Sequence, residues 1–359
     1  MRIINEQQLD FSDVLIRPAR SDINSRSEVD IFRTFYKENR QSFSCIPICC
    51  ANMGNIATIN TAKIFVQHGL LCALEKHIKY SDIIDLMRYL SEQEKNDHVG
   101  DREYRNRIAV SIGTNEDLSP LLDLHEKVGI SIINCDVANG YMNKLQTRVK
   151  QLRTLFPNVW IIVGNVVTGD IVTDLLKCGA DIIKCGIGPG AQCLTRKQTG
   201  VGRPMVSMLE DCSDAAHQIH GYIMSDGGCT CPGDICKALG LADFVMVGSL
   251  FASAEESDGE TVTIDNIKYK KFAGMSSAYA QNKYFGGFKS NYRSSEGRQS
   301  LVKISGSLHD IINDILGGLR SCFAYCGCHK MKHWQKHCVF YKVNHQLTTT
   351  FENAKTFDN

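Results

Sequence analysis

The stretch Asp181-Ile182-Ile183-Lys184-Cys185-Gly186-Ile187-Gly188-Pro189-Gly190-Ala191-Gln192-Cys193-Leu194-Thr195-Arg196 decides how this chain is read. It begins as a short apolar run suited to a buried strand. Three glycines and a proline follow, which neither extend a strand nor start a helix, so the backbone turns sharply there. Cys193 therefore belongs to a strand-end loop open to a substrate, and not to a packed core. Cysteine is the side chain that most readily becomes a nucleophile near neutral pH, given a base or positive field close by. The stretch predicts covalent catalysis on a scaffold of strands.

Working outward, comparable apolar runs occur at 46–53, 69–74, 108–112, 131–137, 160–166, 222–225 and 244–247, besides 181–187 itself. Most are rich in Ile and Val and do not alternate, as expected of parallel strands covered on both faces. Segments of helical length separate them, among them 81–94, 143–155, 169–176 and 208–220. Eight such units in series predict an α/β fold, a (β/α)8 TIM barrel, in preference to a doubly wound sheet. The chain has 359 residues, 43% of them apolar, which suits one catalytic domain over 1–359 with insertions.

The longest insertion, about 252–306, follows the eighth strand and reads as a flap over the site. It contains a hairpin at 260–272 turning at Asp265-Asn266, then Gly274-Met275-Ser276-Ser277, and aromatic anchors at Tyr284, Phe285, Phe288 and Tyr292. An amphipathic helix at 309–320 closes the barrel.

Forty basic against 39 acidic residues leave a net charge of +1, so no general field draws nucleic acid or anionic membrane, and any phosphate is bound locally. No apolar run approaches the roughly 20 residues of a membrane span, and the N-terminus lacks a signal-peptide pattern. A cytoplasmic protein is expected. Its 16 cysteines are scattered through apolar runs as reduced core residues. Two clusters, Cys229/Cys231/Cys236 and Cys322/Cys326/Cys328/His329/His333/Cys338, leave packing and structural zinc as alternatives. Both lack paired Cys-x-x-Cys knuckles, which favours packing.

Polar and glycine residues follow nearly every strand: Asn52 and Met53, Lys76 and His77, Asp136 to Asn139, Gly164 and Asn165, the Cys193 loop, Asp226 to Gly228, and Gly248-Ser249. In a barrel the C-terminal rim carries the chemistry. Bare backbone N–H groups at Gly227-Gly228 and Gly248-Ser249, after strands seven and eight, suit a phosphate. Asp226 could accept hydrogen bonds from two sugar hydroxyls. A nucleoside monophosphate ligand follows from that combination.

At this point the residues resemble the IMP dehydrogenase/GMP reductase family, and within it the GMP reductases. The matching runs are Leu9-Asp10-Phe11-Ser12-Asp13-Val14-Leu15-Ile16-Arg17-Pro18, Ser25-Arg26-Ser27-Glu28-Val29, Asp136-Val137-Ala138-Asn139-Gly140-Tyr141 and Gly164-Asn165-Val166-Val167-Thr168-Gly169. They continue with the Cys193 loop through Gly202, Ser225-Asp226-Gly227-Gly228-Cys229, Gly274-Met275-Ser276-Ser277 and Tyr292-Arg293-Ser294-Ser295-Glu296-Gly297. The resemblance spans essentially the whole chain.

It implies reductive deamination of GMP to IMP and ammonia with NADPH, through a thioimidate on Cys193, with Thr195 and Glu296 protonating the leaving amine. It implies substrate contacts at Asp226, Gly227, Gly228, Gly248, Ser249, Gly274, Met275, Ser276, Arg293, Ser294, Ser295, Glu296 and Gly297. Cofactor contacts are implied at Lys76, Asp136, Val137, Ala138, Ile187, Gly188, Met275, Tyr292 and Arg293, with Ser25, Arg26 and Ser321 supplied by a neighbouring subunit of a homotetramer. A K⁺ ion is implied at Gly188, Gly190, Cys193 and Arg196.

The sequence departs from the family's usual pattern at Gly54-Asn55, Glu75, Arg203 and Ser249, and Glu75 is expected to put negative charge near the cofactor. IMP dehydrogenase is the alternative activity. It is disfavoured because only about 30 residues separate Lys76 from Ile108, too few for that enzyme's inserted domain. A non-catalytic purine-nucleotide-binding protein is the alternative of another class.

Overall fold

All eight apolar runs form strands in the computed structural model, which describes residues 3–96, 103–284 and 294–344. They are β1 (Phe43–Cys50), β2 (Leu70–Ala73), β3 (Ile108–Ile112), β4 (Ile132–Asp136), β5 (Trp160–Val166), β6 (Ile182–Cys185), β7 (Tyr222–Asp226) and β8 (Phe244–Val247). Each pairs in parallel with the next. The sheet closes on itself where β8 returns to β1 through Val245↔Ile48, Met246↔Cys49 and Val247↔Cys50. Helices α1 (Ile59–Gln67), α2 (Tyr80–Asn96), α3 (Ser119–Val128), α4 (Asn143–Leu155), α5 (Gly169–Lys177), α6 (Met205–His217), α7 (Pro232–Leu241) and α8 (Leu308–Tyr325) follow the strands in turn. This is the expected (β/α)8 barrel.

The missing alternation in the strands has a direct cause. In β6, Ile182 belongs to the packed interior of the barrel while Ile183 and Cys185 belong to the layer under the helices. Both faces are dry, so both are apolar. Boundaries move where the interior demands it. The first strand starts at Phe43, earlier than the apolar run suggests, because Phe43 and Cys45 join the interior cluster. The closing helix is longer than expected, and its start is capped by Ser307, whose Oγ accepts from the Asp310 N–H at 3.2 Å.

Aromatic rings plug the N-terminal end of the barrel. Phe35 stacks on Phe244 at 4.1 Å, and Phe43 meets Trp160 edge-on at 5.1 Å. Around this plug two aspartates are completely buried, each just before a strand. Asp181 bonds the Ile161 N–H at 2.9 Å and meets Arg153 at 2.5 Å, Arg40 at 3.3 Å and Lys37 at 3.4 Å. Asp243 bonds the Ile223 N–H at 3.0 Å, Arg33 at 3.0 Å and His217 at 2.9 Å.

The insertion after β8 contains the expected hairpin, β9 (Thr261–Ile264) and β10 (Ile267–Ala273). Asp265 and Asn266 take φ values of 50° and 62°, the left-handed pair that a two-residue turn requires. A third strand, β11 (Gln299–Lys303), pairs antiparallel with β10 and was not foreseen. The sheet is tied to the rim at Asn55, whose side-chain amide donates to the Asp258 carbonyl at 3.0 Å and the Lys271 carbonyl at 3.3 Å. Lys270 adds a buried ammonium bonded to the carbonyls of Ala254 at 3.1 Å, Glu255 at 2.5 Å and Ser257.

The C-terminal segment folds back under α7 and α8. Trp334 is buried, stacks on Phe323 at 4.4 Å and donates its indole N–H to the Cys236 carbonyl at 3.0 Å. Cys236, Cys326 and Cys328 are buried in the same hydrophobic cluster. Among the described residues, no helix is long and apolar enough to cross a membrane.

Candidate active site

The rim at the C-terminal strand ends holds two adjoining cavities that share Cys193. One, of about 880 Å³, is lined by Met53, Gly227, Gly228, Gly248, Ser249, Gly274, Glu296 and Gly297. The other, of about 890 Å³, is lined by Lys76, Val137, Ala138, Asn165, Ile187, Gly188, Thr195 and Gln281. Asn52, Asp136, Cys193, Asp226, Met275 and Ser276 face both. A group held in one cavity therefore meets a group held in the other beside the sulfur of Cys193.

The loop carrying Cys193 is locked to the flap by backbone bonds. The Cys193 N–H donates to the Gly190 carbonyl at 2.9 Å, and Leu194 N–H to the Glu296 carbonyl at 2.6 Å. Arg298 N–H donates to the Gln192 carbonyl at 3.0 Å, and Cys193 pairs antiparallel with Gly297. These contacts bring Thr195 and Glu296 together across 101 positions. The Cys193 thiol donates to Thr195 Oγ1 at 3.2 Å, and that hydroxyl donates to Glu296 Oε2 at 2.6 Å. A sulfur nucleophile, a hydroxyl and a carboxylate thus lie in one hydrogen-bonded line, the arrangement needed to attack a carbon and hand a proton to what leaves it.

Below the shared wall runs a line of charge. Lys76 Nζ contacts the Asp136 carboxylate at 3.4 Å and donates to its carbonyl at 3.0 Å. Lys184, on β6 and 1% exposed, bonds the other Asp136 oxygen and lies 3.6 Å from Asp226. Asn165 donates to the same Asp226 oxygen at 2.7 Å. Burial opposes the charge on both Asp136 and Lys184, but mutual attraction wins. The ammoniums of Lys184 and Lys76, with hydrogen bonds from Lys184 and Asn52, hold Asp136 well below the usual carboxylate range. Asp136 and Asp226 hold Lys184 above its usual range.

Gly227 and Gly228 take φ values of +87° and +84°, so consecutive left-handed residues turn bare backbone toward the first cavity. Side chains are strained in that conformation, which accounts for the glycine pair.

The residues expected at the site fall into four groups. Most line the cavities as described. Ser294 and Ser295 lie on the same flap segment but outside both linings, with Ser295 Oγ bonded to the Gly297 carbonyl at 3.0 Å. Tyr292 and Arg293 lie outside the described residues. Ser25, Arg26 and Ser321 do not reach either cavity within one chain; the turn Arg26–Glu28 instead packs against α8, which carries Ser321.

Two departures from the expected pattern are also placed. Glu75, expected to put negative charge near the cofactor, is buried and lines neither cavity. Arg203 bonds Asp211 at 2.6 Å, Gln8 at 2.9 Å and the Val167 carbonyl at 3.2 Å, an anchor between the N-terminal segment and α6. Sequence reasoning missed Lys184 as part of the site. Its signal was a lone lysine inside an apolar strand, in step with interior Ile182.

Comparison with known proteins agrees with the geometry. The sequence profile described as IMP dehydrogenase / GMP reductase domain matches residues 8–351. GMP reductase 2 of Homo sapiens is 44% identical over 356 residues, covering 98% of this chain and 99% of the relative. GMP reductase of Vibrio vulnificus (strain YJ016) is 43% identical over 359 residues, covering 99% and 100%. GMP reductase 1 of Homo sapiens is 43% identical over 354 residues, covering 98% and 99%. With its barrel, its rim cysteine and a match along almost its whole length, the chain belongs to the IMP dehydrogenase/GMP reductase family.

Proposed function

We propose that this protein is a GMP reductase, converting GMP to IMP and ammonia with a nicotinamide cofactor, NADPH. The observation that carries the reading is the line Cys193–Thr195–Glu296 at the junction of two cavities. Relatives similar over their full length are named GMP reductase, which supports the same substrate.

The first cavity would take the nucleotide, with its phosphate on the backbone of Gly227, Gly228, Gly248 and Ser249 and near Gly274, Met275 and Ser276. Asp226 would accept from the sugar hydroxyls. The purine would lie with C2 at Cys193, between Met53 and the flap residues Glu296 and Gly297; Arg293, Ser294 and Ser295 would complete the closed flap.

The sulfur forms a bond to C2 while the bond from C2 to the exocyclic amine breaks. The amine departs as ammonia, taking the proton that the Cys193 thiol gives up, relayed through Thr195 and Glu296. A purine joined to Cys193 as a thioimidate remains. A bound NADPH would supply the hydride that C2 then accepts. The C2–S bond would break in that step with its electron pair on sulfur, so that IMP leaves and a proton from solvent returns the Cys193 thiolate to the starting thiol. Lys76 and Asp136 would orient the ring that carries the hydride, and Thr195 would exclude water from C2.

The second cavity fits a nicotinamide ring, because Val137, Ala138 and Ile187 give it apolar walls and it opens on Cys193. Tyr292 and Arg293 are proposed to contact the cofactor, and Ser25, Arg26 and Ser321 of a neighbouring subunit would hold its far end in a homotetramer. The packing of the Arg26–Glu28 turn on α8 supports such shared use, since it gathers these residues on one outer face.

The Cys193 loop also offers the carbonyls of Gly188, Gly190 and Cys193 to K⁺, an all-oxygen donor set suited to that ion. Arg196 could add only its carbonyl. Its guanidinium is occupied by the Arg203 carbonyl at 2.7 Å and the Asp10 carboxylate at 3.7 Å. The single-domain reading over 1–359 is supported by the short β2–β3 connection, in which α2 is the main described element.

The test is a product balance. GMP and NADPH should yield IMP, ammonia and NADP⁺ in equal amounts. Oxidation of IMP with NAD⁺ in place of this reaction would make the protein an IMP dehydrogenase, and nucleotide binding with no turnover would make it a binding protein.

A further inference from the structure

Lys184 is a buried cation to which the proposed reaction gives no task. It lies on β6 inside the closed barrel, is 1% exposed and lines neither cavity. The barrel is nevertheless built around it. At Gly164 on the neighbouring strand, a Cβ would fall 2.5 Å from the Lys184 Cβ and 2.5 Å from its carbonyl oxygen. The interior layer beside it is polar in company: Asn134 is buried and donates to Ser111 Oγ at 2.9 Å.

Stability alone is a poor explanation. A buried ion pair is often no more stabilising than an apolar side chain of similar volume, and the layer beneath Lys184 is apolar. Its partners, however, are two carboxylates that each face both cavities. Lys184 bonds Asp136 Oδ1, whose other oxygen meets Lys76 at 3.4 Å. It also lies 3.6 Å from Asp226 Oδ2, the oxygen that Asn165 holds at 2.7 Å. Each carboxylate is therefore gripped from inside the barrel by one oxygen, leaving the other for the cavity side.

We propose that Lys184 is a positioning residue, fixing Asp226 for the hydroxyls of the nucleotide and Asp136 for Lys76 and the cofactor. It acts through these two residues on both ligands at once. The inference rests on the GMP reductase reading, and wild-type turnover tests that reading separately. Calorimetric titration with GMP tests Lys184 whether or not turnover is seen.

Lys184→Gln removes the charge, and Lys184→Arg keeps it with a different donor geometry. With folding checked by circular dichroism, the KM and Kd for GMP should rise in the order wild type, Lys184→Arg, Lys184→Gln, the last by roughly 30-fold, with a parallel rise in the KM for NADPH. A folded Lys184→Gln protein with a lower Tm and unchanged GMP and NADPH constants would overturn the proposal. Should the glutamine variant not fold, Lys184→Arg decides. GMP binding weaker than wild type supports the positioning role, and indistinguishable binding overturns it.

Discussion

The two ends of this barrel use the same buried chemistry for opposite purposes. At the N-terminal end, Asp181 and Asp243 are completely buried, ringed by cations and bonded to the backbone N–H of the preceding strand. At the C-terminal rim, Asp136 and Asp226 also lie beside cations, but each faces two cavities. The lower aspartates stitch neighbouring strands and are sealed by the Phe35, Phe43, Trp160 and Phe244 plug. The upper ones keep an open side. A buried carboxylate with cationic partners is therefore not diagnostic of function. What separates the two cases is whether the carboxylate also bonds a strand N–H or faces a cavity.

That comparison can be broken by exchanging the effects of mutations at the two ends. Cys193→Ala should reduce turnover to below about one-thousandth of wild type, because the covalent step is lost, while the melting temperature stays close to wild type. Kinetics and a thermal melt on one preparation check both halves.

Asp181→Ala should do the reverse. It strands Arg40, Arg153 and Lys37 around a lost carboxylate and should cost about 3 kcal/mol of stability, read by urea unfolding. The kcat of its folded fraction should match wild type. An Asp181 variant that keeps its stability but loses turnover would erase the distinction between the two ends.

Glu296→Gln sharpens the rim side. It keeps the shape and the hydrogen-bonding reach to Thr195 but removes the proposed proton carrier, so kcat should fall roughly 100-fold, with little change in GMP affinity.

The smallest effect lies at the lower end. The hydrogen bond to Asp243 raises the pKa of His217 against the opposing pull of burial. A group raised on folding stabilises the fold below its unfolded value of about 6.5, and that contribution is lost as pH rises through the folded value. His217→Asn should therefore lose most melting temperature relative to wild type at about pH 6, and the gap should close in alkali. His217 is partly exposed, and solvent screening keeps the effect below about 1 kcal/mol. Asp243 has the opposite sign. His217 and Arg33 hold its pKa below the ordinary value despite burial, so its contribution is lost as pH falls through that lowered value.

The rim was far more legible in the sequence than the lower end, for a physical reason. Strand-end loops concentrate glycines, polar residues and a cysteine within a few positions, so Gly227-Gly228 and the Cys193 loop stand out locally. The lower end is assembled from residues distant in the chain. Asp181 finds Arg40 across 141 positions, and no local pattern announces that pair. Lys184 was hidden by its own strand, because one lysine in an apolar run reads as a strand edge and not as an interior ion. The strand β11 was hidden because its side chains are mostly exposed, alternating between exposed and half-buried, and its partner strand lies across the flap. Glu75 shows how little adjacency in sequence fixes a side chain's direction. Its neighbour Lys76 faces a cavity, but adjacent residues point different ways, and Glu75 turns inward.

The central claim is that chemistry at the rim passes through a covalent bond to Cys193. Acid-quenching the enzyme during turnover of GMP, followed by mass spectrometry of its peptides, measures this directly. The peptide containing Cys193 should carry the mass of the nucleotide less ammonia, and Cys193→Ala protein should show neither adduct nor turnover. Turnover that survives in Cys193→Ala, or an adduct on a different residue, would contradict the account.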